Sequence, residues 1–414
     1  MNPLKINDIK RILKDTAYPH TAASPEEMRC LTYLQQRCDA MGLPTHIEAF
    51  PIQRANIHFA SLIVDGNIYS CKAYIGCGSG KVEGPLYYLR NTDELSFALC
   101  KDHIVLTDQP LNMWNYQDML KNGTLGFITF TGRYSCPDRD IDQKTLRPAT
   151  SLGKTILGVN INVKDAMEIV AKDSQWASIE IRQDIFEADA HNLIGELPGQ
   201  IDEWIVLTAH YDSTPLSCGS YDNMTGSIGV LAVAEHFIKA PHKRGLRFIW
   251  CGAEELGLLG SKAYCADHEQ ELEKVMLNIN LDMIGSIMGK FIACCSAEER
   301  LVSFLEYTTD ELGFPIAARS GVYSGDSTPF ADKGVPSLSF ARIAPPTAGS
   351  IHERYDTPAI VSPQQLVTDA SFIAGFTDRM ANAVRCPVKR EIPEKIKDKL
   401  DVYLNRKRAP KTQE

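Results

Sequence analysis

The apolar run Trp204-Ile205-Val206-Leu207-Thr208-Ala209 ends in His210-Tyr211-Asp212, a histidine two residues before an acid. Alone, the two could be a surface pair. An imidazole in that position can also ligate a metal while Asp212, behind it, fixes the tautomer and raises its basicity.

Four later segments offer comparable groups. Ser220-Tyr221-Asp222-Asn223 opens a helical pattern, so Asp222 is either an N-cap or a carboxylate whose two oxygens each hold one metal. Gly226, Ser227 and Gly229 are small enough to let that helix approach a sheet. The run 247–251 passes into Gly252-Ala253-Glu254-Glu255, two adjacent acids that are unremarkable in water and costly if buried unpaired. With metals present their roles divide: Glu255 becomes a ligand, and Glu254 faces the reacting water as general base. Asp282 ends the run 277–281, where it could equally cap a turn before Gly285. His352 lies in a loop, where a lone histidine is ordinarily solvated.

Together His210, Asp222, Glu255, Asp282 and His352 make two imidazoles and three carboxylates. That nitrogen and oxygen set suits zinc first, with manganese or cobalt as alternatives. If Asp222 bridges, each ion has one histidine, one further carboxylate and an open position. Two ions ~3.5–4 Å apart then clamp a hydroxide and a substrate carbonyl oxygen.

The elements that must position these groups alternate after residue 191. Strands are expected over 192–196, 204–208, 247–251, 275–282 and 337–340, and helices over 224–238, from 259, over 301–312 and from 362 to about 384. The chemistry sits just after the strands, where ligands bind in open α/β sheets. The expected fold class is therefore α/β, a mixed, mostly parallel sheet with helices on both faces. Upstream, Ser24-Pro25-Glu26-Glu27 has capping-box spacing and opens a helix that stops at Gly42. Between 57 and 182 the texture changes to short apolar runs with two helical intervals, which reads as a compact β-rich domain.

Composition limits the partners. The 414 residues are 44% hydrophobic and 23% charged, a globular balance, and the formal charge of −9 disfavours nucleic acid. No run approaches the ~18 apolar residues of a membrane helix, and the amino-terminal stretch lacks the apolar core of a signal peptide. The expected location is cytoplasmic. The 12 cysteines form no CxxC pair and are expected to be reduced. Residues 389–414 carry nine basic residues against five acids, expected as a solvated helix and tail or a docking surface for an anionic partner.

In order, Thr208-Ala209-His210-Tyr211-Asp212, Asp222-Asn223 with Gly226, Glu254-Glu255 with Gly257 and Gly260-Ser261, Leu281-Asp282-Met283-Ile284-Gly285, and His352 with Asp356-Thr357 resemble the zinc-dependent exopeptidases of the M28 type. Asn192-Leu193-Ile194-Gly195-Glu196-Leu197-Pro198-Gly199 is similar to the strand and turn preceding that site. The resemblance is good from 192 to about 384 and weak over 28–52. It implies two zinc ions per chain, one on His210 and Asp282, the other on Glu255 and His352, with Asp222 shared. It implies Glu254 as base and Asp212 as the residue orienting His210. Some members carry a protease-associated (PA) domain insert, and the β-rich segment is similar to one. The division implied is 1–56 and 186–388 catalytic, 57–185 a PA-like insert, and 389–414 a basic tail. Such an insert would restrict the cleft to short peptides or contribute to a homo-oligomer interface.

Ser324-Gly325-Asp326-Ser327 departs from the family's Ser-Asp-His, with Ser327 in place of histidine. Arg319, Arg342 and Tyr355 fall in the region expected to line the substrate pocket, or serve packing and salt bridges there. The expected activity is an aminopeptidase on short peptides. The alternatives are a carboxypeptidase of the same fold, a single-zinc glutaminyl-cyclase-like acyltransferase, and a non-catalytic binding protein.

Overall fold

The computed structural model describes residues 5–409 and divides into two units, Met1–Phe50 with Asp189–Glu414, and Pro51–Ala188. In the first unit the strands Ser337–Ile343, Val275–Leu281, Ile201–His210 and Arg244–Cys251 lie side by side in that order, each parallel to the next. Antiparallel neighbours flank them: Lys290–Ser296 beside Ser337–Ile343, and residues 193–197 beside 246–250. Ala317–Ser320 forms the outer edge beyond Lys290–Ser296.

Parallel pairing aligns like ends. Cys251 is registered with His210, and Asn280 with Thr208, so the turns that follow three neighbouring strands open on one edge of the sheet. His210 ends its strand at that edge, and the turns carry Glu254 with Glu255, and Asp282.

The helix Pro25–Met41 starts where its sequence directs. Ser24 Oγ accepts the Glu27 amide at 3.1 Å, Pro25 occupies the first turn, and Gly42 closes the helix in the left-handed conformation at φ 82°. Its Cys30, Leu31, Leu34 and Cys38 are buried in the main core with Ile9, Ile12 and Leu13 of Ile6–Asp15, a helix the sequence reading does not anticipate. Thr225–Lys239 is buried along most of its length against the sheet and Pro363–Asn382, which accounts for its nearly continuous apolar and small sequence. A β-carbon on Gly226 would collide with the Leu281 carbonyl oxygen, and one on Gly229 with Leu281 and Ile284 side chains. The small residues thus bring the helix against the strand that ends at Asp282.

The second unit has its own core, including Leu62, Val105, Phe127, Val159 and Ile179. Its central strands, Gly80–Leu89, Ile104–Thr107, Gly126–Thr131 and Leu157–Asn162, are parallel in sequence order, with Glu94–Ala98 and Met113–Lys121 among the intervening helices and Val163–Ala171 following the last strand. Strands dominate this unit, but its connections are those of an α/β layer rather than of hairpins.

The carboxyl-terminal segment is more than a solvated tail. Glu394–Tyr403 is a helix whose Ile396 and Leu400 are buried with Ala331 and Ile392. Lys411 lies outside the described residues. All twelve cysteines are free thiols, and no helix among the described residues is long and apolar enough to cross a membrane.

Substituting Gly226→Ala should destabilise the chain by roughly 1–3 kcal/mol, the usual range for overpacking a tight contact. Urea unfolding measures it, and an unchanged midpoint would mean that the helix can move off the sheet without penalty.

Candidate metal centre

The five residues singled out as ligands converge. His210 Nε2 lies 3.2 Å from Asp222 Oδ1 and 3.9 Å from Asp282 Oδ1. His352 Nε2 lies 3.1 Å from Asp222 Oδ2 and 3.1 Å from Glu255 Oε2. Two trios result, His210 with Asp222 and Asp282, and Asp222 with Glu255 and His352, each with its donor atoms within 4.8 Å of one another. Asp222 belongs to both and presents one oxygen to each.

The turns are held by side chains that grip backbone. Asp212 accepts the Glu254 and Glu255 amides at 3.0 and 3.3 Å, fixing the turn that carries both acids. His210 Nδ1 lies 3.2 Å from the Asp212 carbonyl oxygen and 3.6 Å from Oδ1, which leaves Nε2 turned toward the carboxylates. Asp356 accepts the Tyr221 amide at 2.7 Å and the Asp222 amide at 3.1 Å, so the Asp356-Thr357 motif positions the shared carboxylate. Asn223 Oδ1 accepts the amides of Gly226 and Met283, both at 2.9 Å, and its Nδ2 donates to Leu281 O, tying this loop to both sides of Asp282. Asn192 donates to Gly260 O and accepts the Gly252 amide, bracing the Glu254 turn from below. Ala253, Met283 and His352 adopt left-handed φ of 54°, 57° and 59°, so strained backbone flanks or carries three of the site groups.

A further support comes from the helix Pro25–Met41. Glu27 is 1% exposed, accepts Tyr211 Oη–H at 2.7 Å and the His191 amide at 3.1 Å, and so fixes the residue between His210 and Asp212.

The electrostatics are those of crowded acids. Burial pushes Asp282 up to about 8, with the Asp222 charge acting the same way. Burial also raises Glu254 well above its ordinary value, and Glu255, Asp326 and Asp282 add to it against the pull of His210. Burial would raise Asp222 too, but hydrogen bonds from both imidazoles hold it well below the carboxylate range. Burial lowers His352, yet its bonds to Asp222 and Glu255 outweigh that and push it up to about 11. The residues fit divalent cations: the donors are oxygen and imidazole nitrogen, and buried Asp282 Oδ1 accepts no hydrogen bond from any described residue.

Of the three pocket candidates, only Tyr355 stays close in the chain to a ligand, three residues after His352, and it is 38% exposed. Arg342 is spoken for: Nε and Nη2 donate to the buried Asp369 carboxylate at 2.8 and 2.6 Å, and Nη1 to Gly289 O. A fork so committed is a structural tie. Arg319 lies exposed on the outer edge strand, three strand positions from the one ending before Asp282. Ser327, the departure from the family pattern, bonds Ser339 Oγ at 2.8 Å, in a buried polar row continued by Asn280 and Thr208.

Sequence reasoning overlooks Tyr323. Burial pushes its phenol well above the ordinary value, and Asp282, Asp222 and Glu254 push it the same way. Gly325 lies between, since a β-carbon there would be 3.0 Å from Asp282 Oδ2 and 3.3 Å from the Tyr323 ring. The only signal in the sequence is its nearness to Asp326.

The sequence profile described as Peptidase family M28 matches residues 192–377. Aminopeptidase YwaD of Bacillus subtilis (strain 168) is 36% identical over 161 residues, 37% of this chain and 35% of that protein. Leucine aminopeptidase 2 of Trichophyton rubrum is 43% identical over 97 residues, 23% of this chain and 20% of that protein. The chain thus covers about a third or less of these relatives' lengths. Among solved structures, BSAP, a zinc aminopeptidase from Bacillus subtilis, superposes with a TM-score of 0.77 at 23% identity, covering 96% of this chain and 100% of that one. An aminopeptidase from Aneurinibacillus sp. strain AM-1 gives 0.75 at 20% identity, covering 93% and 96%. Over residues 192–377 the chain is thus similar in sequence to peptidase family M28, and it shares the fold of the zinc aminopeptidase structure.

Proposed function

We propose that the chain is an aminopeptidase that removes residues from the amino end of short peptides, using two zinc ions held by His210 with Asp282 and by Glu255 with His352, and shared by Asp222. The observation that carries this reading is the pair of ligand trios joined at Asp222. When bound, the ions would supply Lewis acidity toward a carbonyl oxygen and lower the pKa of water.

The chain's own residues do the rest. Glu254 takes a proton from the attacking water as the carbon–oxygen bond forms, then delivers it to the departing amine nitrogen as the carbon–nitrogen bond breaks. Its raised pKa, set first by burial, suits both transfers. Asp212 keeps Glu254 and Glu255 in place through their amides. The Tyr323 phenol, which feels the charges of Asp282, Asp222 and Glu254, can donate to the oxygen that becomes negative.

The substrate's ammonium group finds acids in this site. Recognition of a terminal carboxylate would call for a free arginine, and Arg342 is already paired with Asp369. That supports amino-end over carboxyl-end recognition.

Glu254→Gln should keep both ions and lose on the order of 10²–10⁴-fold in kcat. Metal analysis beside turnover separates the roles, and loss of metal would reassign Glu254 as a ligand. Asp222→Ala should empty both sites, so retention of one zinc per chain would end the bridging assignment. Acetylating the amino end of a dipeptide should stop cleavage, whereas amidating the carboxyl end should not. The opposite pattern would make the enzyme a carboxypeptidase, and one zinc per chain with cyclisation of N-terminal glutamine would make it an acyltransferase.

A further inference from the structure

The helix Glu394–Tyr403 lies beyond the segment matched to the family profile, and it packs on Ser327–Asp332 and on the two chain neighbours of Tyr323. Val322 packs onto the cluster of Ala331, Ile392, Ile396 and Leu400. Ser324 Oγ bonds Tyr403 Oη at 2.8 Å. The helix therefore grips both chain neighbours of Tyr323. Just past its end, Arg406 forks onto Asp332, Nη1 to Oδ1 at 2.5 Å and Nη2 to Oδ2 at 2.7 Å, fixing the helix against Ser327–Asp332. That short helix holds the Tyr323 loop from the other side, through Thr328 Oγ1 donating to Tyr323 O at 2.7 Å and the Thr328 amide donating to Gly325 O.

We propose that the carboxyl-terminal helix is a positioning clasp for Tyr323: through Val322, Ser324 and Asp332 it holds the 321–326 loop so that the phenol faces the carboxylates of Asp282 and Asp222. Tyr403 and Arg406 are positioning residues, since neither is among the groups that would meet the substrate. The loop between Ser320 and Ser327 contains two glycines, Gly321 and Gly325, and little regular structure of its own. An external brace supplies the order that its backbone lacks.

The proposal rests on the aminopeptidase reading for its kinetic consequence, but the clasp itself has an independent readout. In the full chain, Tyr403→Phe combined with Arg406→Ala should lower kcat about tenfold, with KM changed less than about twofold and metal content unchanged. Hydrogen exchange should quicken in the amides of 321–328 and stay constant in those of 220–229. In a Tyr323→Phe background the same pair should change kcat by less than about twofold, because the group it positions is gone. Wild-type kcat in the double variant, or a loss carried in full into the Tyr323→Phe background, overturns the proposal. Tyr403→Phe alone removes one hydroxyl and guards against a folding failure. If the parent chain cleaves no peptide, the aminopeptidase reading fails by itself, and unchanged exchange in 321–328 of the variants would still refute the clasp.

Discussion

Like charges held together in a buried place raise one another's energy, and the carboxyl-terminal edge of this sheet gathers Asp222, Glu254, Glu255 and Asp282 around two imidazoles. Each imidazole offsets part of that repulsion by sitting against Asp222, and His352 also against Glu255. The remaining excess is what a pair of divalent cations would neutralise. The surrounding structure can be understood as the means of keeping acids close that would otherwise move apart.

Those means are of one kind. Asp212, Asp356 and Asn223 do not reach for other side chains so much as for backbone N–H groups of the turns that bear the ligands. A carboxylate accepting two amides fixes a turn in two places and adds no competing donor to the site. Asp369 follows the same pattern one layer out, accepting the Gly285 amide beside its fork with Arg342. Glycine completes the scheme where approach must be close, since Gly252 and Gly260 both sit against carbonyl oxygens that a β-carbon would strike.

Much of the candidate site was legible in the sequence because parallel strands translate sequence order into spatial neighbourhood: an acid or histidine just past an apolar run becomes a group at a shared edge. His210, Glu255 and Asp282 needed only that rule, and Asp222 and His352 the company of the others. Tyr323 was not legible, because a lone aromatic in a glycine-containing loop looks like any other. Arg319 and Arg342 stayed open between pocket lining and packing or salt bridges for a related reason. Their positions along the chain do not reveal that Ala317–Ser320 lies at the far edge, or that Asp369 from a distant helix would occupy the Arg342 fork. The strand Lys290–Ser296 also escaped notice, its apolar run being too short to stand out beside two cysteines. The mixture of basic residues in Ile6–Asp15 hid a helix whose Ile9, Ile12 and Leu13 recur at the spacing of one buried face.

The buried bond between Glu27 and Tyr211 joins residues 184 apart, and the whole Pro51–Ala188 unit is made between them. During synthesis at about 5–20 residues per second, the helix Pro25–Met41 waits roughly 10–40 s with its carboxylate unpaired and its apolar face bare before the strand that receives it exists. The inserted unit, which has a core of its own, can fold in that interval, and the sheet of the first unit can close only afterwards. Placing the insert between this helix and its sheet thus fixes an order of assembly, in which a helix made early finds its place only after the insert has been made.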